Sequence, residues 1–502
     1  MKTTRDIEIK KILVVMGTRP EVIKLAPVIE ALKDRAREKA ISPTKKKRIL
    51  FKTVICLTGQ HREMVEPFLK VFGLKPDYDL RVMQPEQHLA ELTGRVLAGM
   101  KKVLEAEKPD WLLVQGDTTS AMAAALAAFY QRIKIGHVEA GLRTDDKYNP
   151  FPEEINRRLI SHLADLHFAP TELAKKNLLA EGIKPEKIVV TGNTVVDALK
   201  MILKRTAWKE KGQVGGQRVI LRIKKIKEEQ QKGTGKGKQR EVLEEGRKGE
   251  GKGARKEGAG TEIEKAQYSS RAEMADTTAI PARAVQMVAG EAGSGTKSGD
   301  GAGLVQSDRA NLVPSATLVT DVLSLAEIKK IKKLIMVTAH RRESFGKGME
   351  GICQAILRVV EKVKEAEVIF PVHMNPAVRK VVFRYLLGRE RIHLVEPLDY
   401  ITFVHLMKRA SLILTDSGGI QEEAPSLGVP VVVMRETTER PEAIWAGVAW
   451  LGGTDPEKIT SLALRLLKKV ESGEFRKRLR KRNPFGDGRA GHRISLKIRD
   501  TL

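Results

Sequence analysis

Short apolar runs alternate with longer amphipathic stretches through most of the chain. In the first part the runs fall at residues 11–16, 50–57, 111–115, 133–138, 166–169 and 187–191. They carry Val, Ile and Leu with few polar interruptions, the pattern of strands buried on both faces. Residues 20–32, 87–105, 121–130, 153–164, 171–181 and 194–203 read as helices between them. In 87–105, for example, Leu89, Leu92, Val96, Leu97, Met100 and Leu104 share one helical face and belong to a core. A second series places strands at 334–338, 368–372, 391–395, 412–414, 429–434 and 450–451. Its helices are at 349–363, 399–408 and 420–427, and a basic helix runs from 456 onward. Such alternation predicts the α/β class: two Rossmann-like doubly wound domains with parallel sheets, facing a central cleft.

Between the two series the pattern fails. Residues 208–321 are rich in Gly, Lys, Glu, Ser and Ala, with stretches such as KGTGKGKQR and EAGSGTKSGDGAG. So little apolar surface cannot offset the entropy of ordering, and a largely disordered basic insertion is expected. One short basic helix is expected within it, at 219–230. The domain reading is therefore 1–207, an insertion at 208–321, and 322–502, whose last helix can pack back on the first domain. Gly295-Thr296-Lys297-Ser298 has the look of a phosphate-loop ending. A threonine separates the Gly from the Lys and no strand precedes it, so the motif is rejected.

Composition changes this picture little. The 502 residues carry a net charge of +27, which invites a nucleic-acid reading. The distribution argues against it. Between residues 204 and 260, roughly 18 Lys or Arg stand against 8 acidic residues, in the manner of a charged tail. Aromatics make up 4% and, past Trp208 near its start, none interleave with that run to stack bases, so no specific nucleic-acid partner is expected. Cys56 and Cys353 lie far apart, which indicates no disulfide scaffold and fits a reducing cytosol. The apolar run at 12–16 is too short for a signal peptide or a span. A soluble, cytoplasmic chain without a membrane partner is expected.

Candidate chemistry gathers at strand ends, where open α/β sheets place their sites. Asp416-Ser417-Gly418-Gly419 follows one strand and opens a helix. Ser417 can cap that helix, and Gly418 and Gly419 let backbone N–H groups approach a phosphate. Glu422 and Glu423 are placed in its first turn, where a carboxylate can accept ribose hydroxyls; Arg440 can neutralise a diphosphate. A tight turn with two solvated glutamates accounts for the same residues equally well. Arg19 and Lys24 fall near a helix start, where cations oppose the dipole unless they answer an anion. Asp117 and Glu139 end two strands, and Glu153 opens a helix. Converging carboxylates push their pKa values apart, which divides acid and base roles, although Asp117 and Glu153 also suit plain helix capping. His340 ends another strand ahead of two arginines, so it is either an ordinary hydrogen-bonder or an anion-facing group.

These residues sit in GTRPEVIKLAP from Gly17, TGQHREM from Thr58, GDTTSA from Gly116, GHVEAGLRT from Gly136 and PFPEEINR from Pro150. The order continues with TGNTVVDAL from Thr191, TAHRRESFG from Thr338, PVHMNP from Pro371, TDSGGIQEEAPSLG from Thr415 and RETTERPEA from Arg435. The set resembles the non-hydrolysing UDP-N-acetylglucosamine 2-epimerase family over nearly the whole chain outside 208–321. The resemblance implies a glycosyltransferase-B-like pair of domains, a homodimer, and neither cofactor nor metal. It also implies reversible conversion of UDP-GlcNAc to UDP-ManNAc, by anti elimination of UDP through 2-acetamidoglucal and re-addition. Carried over by motif, Asp117, Glu139, Glu153 and His340 are the acid/base set. Arg19, Lys24, Phe403, Ser417, Gly418, Gly419, Glu423 and Arg440 hold the nucleotide sugar. Gln60, Glu63, Arg341 and His373 match a second, activating UDP-GlcNAc site. Gly59, Glu63 and Leu398 depart from the residues frequent in the family, at the activator and uracil sides rather than at the chemistry. The insertion is expected to loop out, so that removing about 209–320 preserves turnover. A hydrolysing epimerase releasing ManNAc and UDP, a retaining glycosyltransferase, and a nucleotide-sugar- or polyanion-binding protein are the alternatives.

Overall fold

The computed structural model describes residues 7–37, 48–59, 62–84, 87–206, 213–214, 217–218, 221–226, 318–323 and 325–502. The first domain has strands β1 (Ile7–Met16), β2 (Arg48–Leu57), β3 (Tyr78–Asp79), β4 (Trp111–Gln115), β5 (Lys134–Val138), β6 (Leu166–Ala169) and β7 (Ile188–Val190). Its helices are α1 (Arg19–Arg37), α2 (Arg62–Phe72), α3 (Leu89–Glu107), α4 (Thr119–Tyr130), α5 (Glu153–Leu163), α6 (Glu172–Ala180) and α7 (Thr194–Arg205). The strands form one parallel sheet in the order β3-β2-β1-β4-β5-β6-β7. Alternate residues of β1 serve opposite faces. Ile12, Val14 and Met16 pack with α1, α2 and α7, and Leu13 and Val15 pack with α3, α4 and α5. The small residues Ala121, Ala124, Ala125 and Ala128 let α4 lie close to the sheet.

The second domain is also α/β. A small hairpin, β8 (Gln213–Val214) with β9 (Gln217–Arg218), precedes β10 (Leu221–Ile226) and β11 (Leu318–Leu323). Then come β12 (Lys333–Thr338), β13 (Ala366–Pro371), β14 (Ile392–Val395), β15 (Leu412–Thr415), β16 (Val431–Val433) and β17 (Ala449–Leu451). Helices α8 (Leu325–Lys330), α9 (Lys347–Lys362), α10 (Pro376–Leu386), α11 (Tyr400–Arg409), α12 (Gly418–Glu423) and α13 (Pro441–Trp445) link them. The order is β11-β10-β14-β13-β12-β15-β16-β17, parallel from β14 to β17. The two α/β domains foreseen from the alternation are thus present.

Three local expectations are corrected. Residues 221–226 form a strand, not part of a helix. Leu-Arg-Ile-Lys alternates with a period of two, and the backbone pairs antiparallel with β11 and, at Ile223↔Val395, with β14. The second sheet therefore takes in chain from within 208–321, and β11 spans the 321/322 boundary. Residues 208–212, 215–216, 219–220 and 227–317 of that segment lie outside the described residues, and with them the rejected 295–298 motif. The basic C-terminal helix is three helices: α14 (Pro456–Lys469), α15 (Gly473–Arg482) and α16 (Ala490–Asp500). The Val470-Glu471-Ser472 turn and the Pro484-Phe485-Gly486-Asp487-Gly488 stretch break it. Helix α16 crosses back to the first domain, where Gly491 N–H donates to Asp197 Oδ1 at 2.9 Å and Arg493 Nη1 to Thr191 O at 2.9 Å.

The β10–β11 pairing narrows what can be removed. Ile226 and Leu318 are register partners, so a short Gly-containing turn can join them. Excising 228–315 is expected to shift the thermal midpoint by no more than about 2 °C, within the small effect of loop length. Excising 209–320 removes β10 and half of β11 and bares the edge of β14; its midpoint is expected to fall clearly below that of the shorter deletion. Equal midpoints for the two deletions would show that these strands contribute nothing.

Candidate functional site

The strand ends of the two sheets bring one charged cluster together. Glu139 follows β5 with φ 64°, a left-handed conformation rare for a side chain this size. Gly141 beyond it has φ 94° and runs so close to Ala174 O that no Cβ would fit. Contacts from outside the turn decide where Glu139 points. Lys24 Nζ, on α1, donates to both its oxygens at 2.6 and 2.7 Å. Gln115 Nε2 donates to Oε2, and Asn193 Nδ2 to Oε1 at 2.8 Å. From the second domain, Glu422 accepts from Arg440 Nε and from Asn193 Nδ2, the latter at 2.9 Å, and lies 3.9 Å from Lys24 Nζ. Two cations and two anions thus balance in a buried quartet.

The charges set one another. Burial pushes the Glu139 carboxyl up, but Lys24 and Arg440 outweigh it and hold it below the usual range. Burial works against the Lys24 ammonium, but Glu139 and Glu422 hold its pKa above the ordinary lysine value. Asp117 moves the other way. Desolvation pushes its carboxyl up; Arg157, at 2.6 Å, opposes this, and the charges of Glu139 and Glu153 reinforce it. Asn156 Nδ2 holds the Asp117 carbonyl at 3.0 Å. His137, buried behind the cluster with Nε2 2.8 Å from Gly116 O, is pushed down to about 3 and stays neutral.

The phosphate-like turn is built differently from expectation. Ser417 occupies the N-cap position of α12, but its side chain makes no capping bond; its N–H donates to Thr415 Oγ1 at 3.0 Å. Glu422 and Glu423 stand at the end of α12, not in its first turn, and Glu422 is committed to Arg440 and Asn193. Glu423 is buried, and burial followed by Glu422 pushes it up to about 8. Arg440, expected to neutralise a diphosphate, is paired with Glu422 while its guanidinium lies against Gly418. Arg19 is exposed and stacks over Phe68 at 5.9 Å, and Phe68 meets Tyr400 at 5.5 Å. Phe403, one turn along α11, is half-buried against the core.

His340, Arg341 and His373 form a third group around Asp416. Asp416 is buried and accepts from His340 N–H at 2.6 Å and Arg341 N–H at 2.7 Å. His340 Nδ1 is 3.2 Å from Asp416 Oδ1, close enough for attraction but not aligned as a hydrogen bond. Burial raises the Asp416 carboxyl, but His340 and the two N–H groups outweigh it and leave it below the usual range. His340 stacks on His373 with ring centres 5.6 Å apart. Arg341 Nε is enclosed without a partner among the described residues. Gln60 and the Glu63 side chain lie outside the described residues.

Sequence reasoning missed several members. Glu21 ties the turn after β1 to the turn after β4, accepting from Gly17 N–H at 2.8 Å, Thr18 N–H at 2.6 Å and Thr118 Oγ1 at 2.8 Å. Gln115, Arg157 and Asn193 were also missed, as was Tyr400, whose enclosed hydroxyl has no partner among the described residues. Glu21 carried one signal, a carboxylate in the first turn of α1, where the free N–H groups lie. A cavity of about 720 Å³ lined by Pro27, Asp197, Lys200 and Arg489 lies elsewhere, beside α16, and holds none of these groups.

Comparison with known proteins decides the family. The UDP-N-acetylglucosamine 2-epimerase profile matches residues 44–229 and 305–499. The chain belongs to that family. It is 41% identical to the UDP-N-acetylglucosamine 2-epimerase of Salmonella typhimurium, over 96% of this chain and 97% of the relative. It is 40% identical to the Escherichia coli K12 enzyme of the same name, with the same coverage. Among solved structures, UDP-GlcNAc 2-epimerase from Neisseria meningitidis bound to UDP-GlcNAc is 35% identical. That match has a TM-score of 0.66 and covers 98% of this chain and 100% of that one. The Methanocaldococcus jannaschii family member in complex with UDP-GlcNAc and UDP is 29% identical, with a TM-score of 0.59 and coverage of 98% and 100%. No described helix is long and apolar enough to cross a membrane.

Proposed function

We propose that this chain interconverts UDP-GlcNAc and UDP-ManNAc by eliminating and re-adding UDP, without net hydrolysis. One observation carries the reading: Asp117 and Glu139, on neighbouring strand ends, have carboxyls shifted in opposite directions beside the cations Lys24 and Arg440. That is the arrangement expected of an acid and a base sharing one carbon. The C2 hydrogen of the sugar has no adjacent carbonyl, so its removal must be coupled to departure of a good leaving group. Glu139 takes the C2 proton as the C1–O bond breaks and UDP leaves with the electron pair, giving 2-acetamidoglucal. For the return, UDP oxygen attacks C1 while Asp117 delivers a proton to the opposite face of C2. Glu153 assists by its charge on Asp117.

Lys24 holds Glu139, which favours the ionised form but weakens it as a base. A diphosphate gives Lys24 and Arg440 a second anion to answer, and their hold on Glu139 loosens as the substrate arrives. Arg19, Ser417, Gly418 and Gly419 join them on the nucleotide, and His340 faces the leaving oxygen. Glu423, neutral at pH 7 by its upward shift, can both donate to and accept from ribose hydroxyls, with Phe403 on the uracil side. Arg341 and His373, with Gln60 and Glu63, are the residues for an activating second nucleotide sugar. The chain is proposed to work in the cytoplasm as a homodimer; the exposed Phe129, Tyr130, Ile155 and Leu159 on the adjoining α4 and α5 support a self-association face.

Proton NMR of the protein with UDP-GlcNAc in deuterated water tests the reaction. UDP-ManNAc should appear with deuterium at C2 and without accumulation of free sugar. Equimolar ManNAc and UDP would make it the hydrolysing reaction instead, and an unchanged spectrum, with or without added activating nucleotide sugar, would end the proposal.

A further inference from the structure

We infer that Asn193 is a positioning residue: its side-chain amide aims the Glu139 carboxylate and couples that aim to Glu422 on the second domain. The inference rests on the epimerase reading for its kinetic consequences, though not for its geometry. Asn193 is the N-cap of α7, and its Oδ1 accepts from Val195 N–H at 3.0 Å. A backbone N–H can only donate, so this bond fixes which end of the amide is oxygen. The NH2 end then faces two carboxylates that can only accept, Glu139 at 2.8 Å and Glu422 at 2.9 Å. The backbone N–H of Asn193 donates to Phe485 O at 2.8 Å, in the segment that leads into α16. The residue is 2% exposed.

This placement differs in kind from the other contacts to Glu139. Gln115 touches Glu139 alone, and Lys24, which bonds Glu139, lies 3.9 Å from Glu422, beyond hydrogen-bond reach. Asn193 holds Glu139 and Glu422 with the same rigid amide group, so a shift of α12 against β5 breaks or turns one of these bonds. Lys24 is also the contact that a diphosphate competes for, whereas a neutral amide donor offers an arriving anion far less. Asn193 therefore keeps Glu139 aimed when Lys24 is drawn away. The groups facing Glu139 are Lys24 on α1 and Arg440 before α13, which favour its charge. Asp117 after β4 and Glu422 on α12 oppose it, and Gln115 and neutral His137 add no charge.

Two replacements separate aiming from capping. Asn193→Ser and Asn193→Asp each keep an acceptor for the Val195 N–H, so α7 stays capped. Neither can donate to both carboxylates. For Asn193→Ser, kcat is expected to fall roughly 10- to 100-fold with KM within about threefold, as for a misaimed catalytic group. The acid limb of the kcat/KM profile should move to higher pH, because a hydrogen bond favouring ionised Glu139 has gone. Asn193→Asp should be worse, since it sets a third carboxylate against the pair. A second measurement needs no turnover. In protein labelled with carboxyl carbon-13 glutamate, the Glu139 resonance, identified by its loss in Glu139→Gln, should titrate at higher pH in Asn193→Ser than in the unaltered chain. A fall in thermal midpoint with kcat, acid limb and the Glu139 titration all unmoved would reduce Asn193 to a helix cap and overturn the inference. If the unaltered chain failed to epimerise, the functional reading would fall, and the titration alone would still decide for or against Asn193.

Discussion

Glu139→Gln is expected to lower kcat by about 10²–10⁴-fold, the usual contribution of a general base, and to slow deuterium entry at C2 by a similar factor. The substitution keeps the shape and can keep the bond from Asn193 if the amide oxygen turns toward it. It removes the proton acceptor and one of the carboxylates facing Lys24 and Arg440. With that competing anion gone, the two cations answer a diphosphate more freely. UDP should therefore bind as well as before or more tightly while turnover collapses, which distinguishes lost chemistry from lost binding. Titrating UDP by calorimetry beside the NMR assay reads both.

The pH dependence follows from the opposite shifts. Glu139 acts ionised, and its lowered pKa puts the acid limb of kcat/KM at lower pH than an ordinary glutamate would. Asp117 acts protonated, and its raised pKa carries the alkaline limb to higher pH than an ordinary aspartate allows. Because the two groups influence each other, the limbs describe the pair rather than either residue. In Glu139→Gln the acid limb should vanish from whatever exchange remains. Near-normal exchange, or an acid limb left in place, would remove Glu139 from the reaction.

How much of this was legible in the sequence depended on range. Buried parallel strands need only a local apolar run, so β1, β4, β5, β12 and β15 were visible, and Asp117, Glu139 and Asp416 were found by position just past strands. Strand β10 was not. Its Arg and Lys residues suggested a charged helix, and what makes it a strand is pairing with β11, which lies some ninety residues away in the chain. Lys24 was expected on an anion, and the anion it meets in the fold is Glu139, 115 positions along the chain. The same holds for Arg440 with Glu422. Asn193 gave no local sign beyond a good N-cap residue, since its other function arises only where β5, α7 and α12 meet. Ser417 shows the reverse error: a good capping residue at a helix start, with its side chain left uncommitted by the fold.

Arg440→Met is expected to cost stability and affinity together, and a second substitution pulls the two apart. Arg440 and Glu422 are both nearly enclosed, with side chains 10% and 1% exposed. Removing the guanidinium leaves the Glu422 carboxylate buried with only the Asn193 amide and a lysine at 3.9 Å. Breaking one side of a buried ion pair costs about 3–5 kcal/mol, most of it the burden of the stranded charge. Arg440→Met with Glu422→Gln strands no charge, so urea unfolding should recover most of that loss. Affinity for UDP should not recover. A guanidinium that donates to a diphosphate supplies about 1.5–3 kcal/mol, so the double variant should bind UDP roughly 10- to 100-fold more weakly than the unaltered chain. If the double variant regained both stability and affinity, Arg440 would be a structural partner of Glu422 alone, and the diphosphate would have to be held by Arg19, Lys24 and the Gly418-Gly419 turn without it.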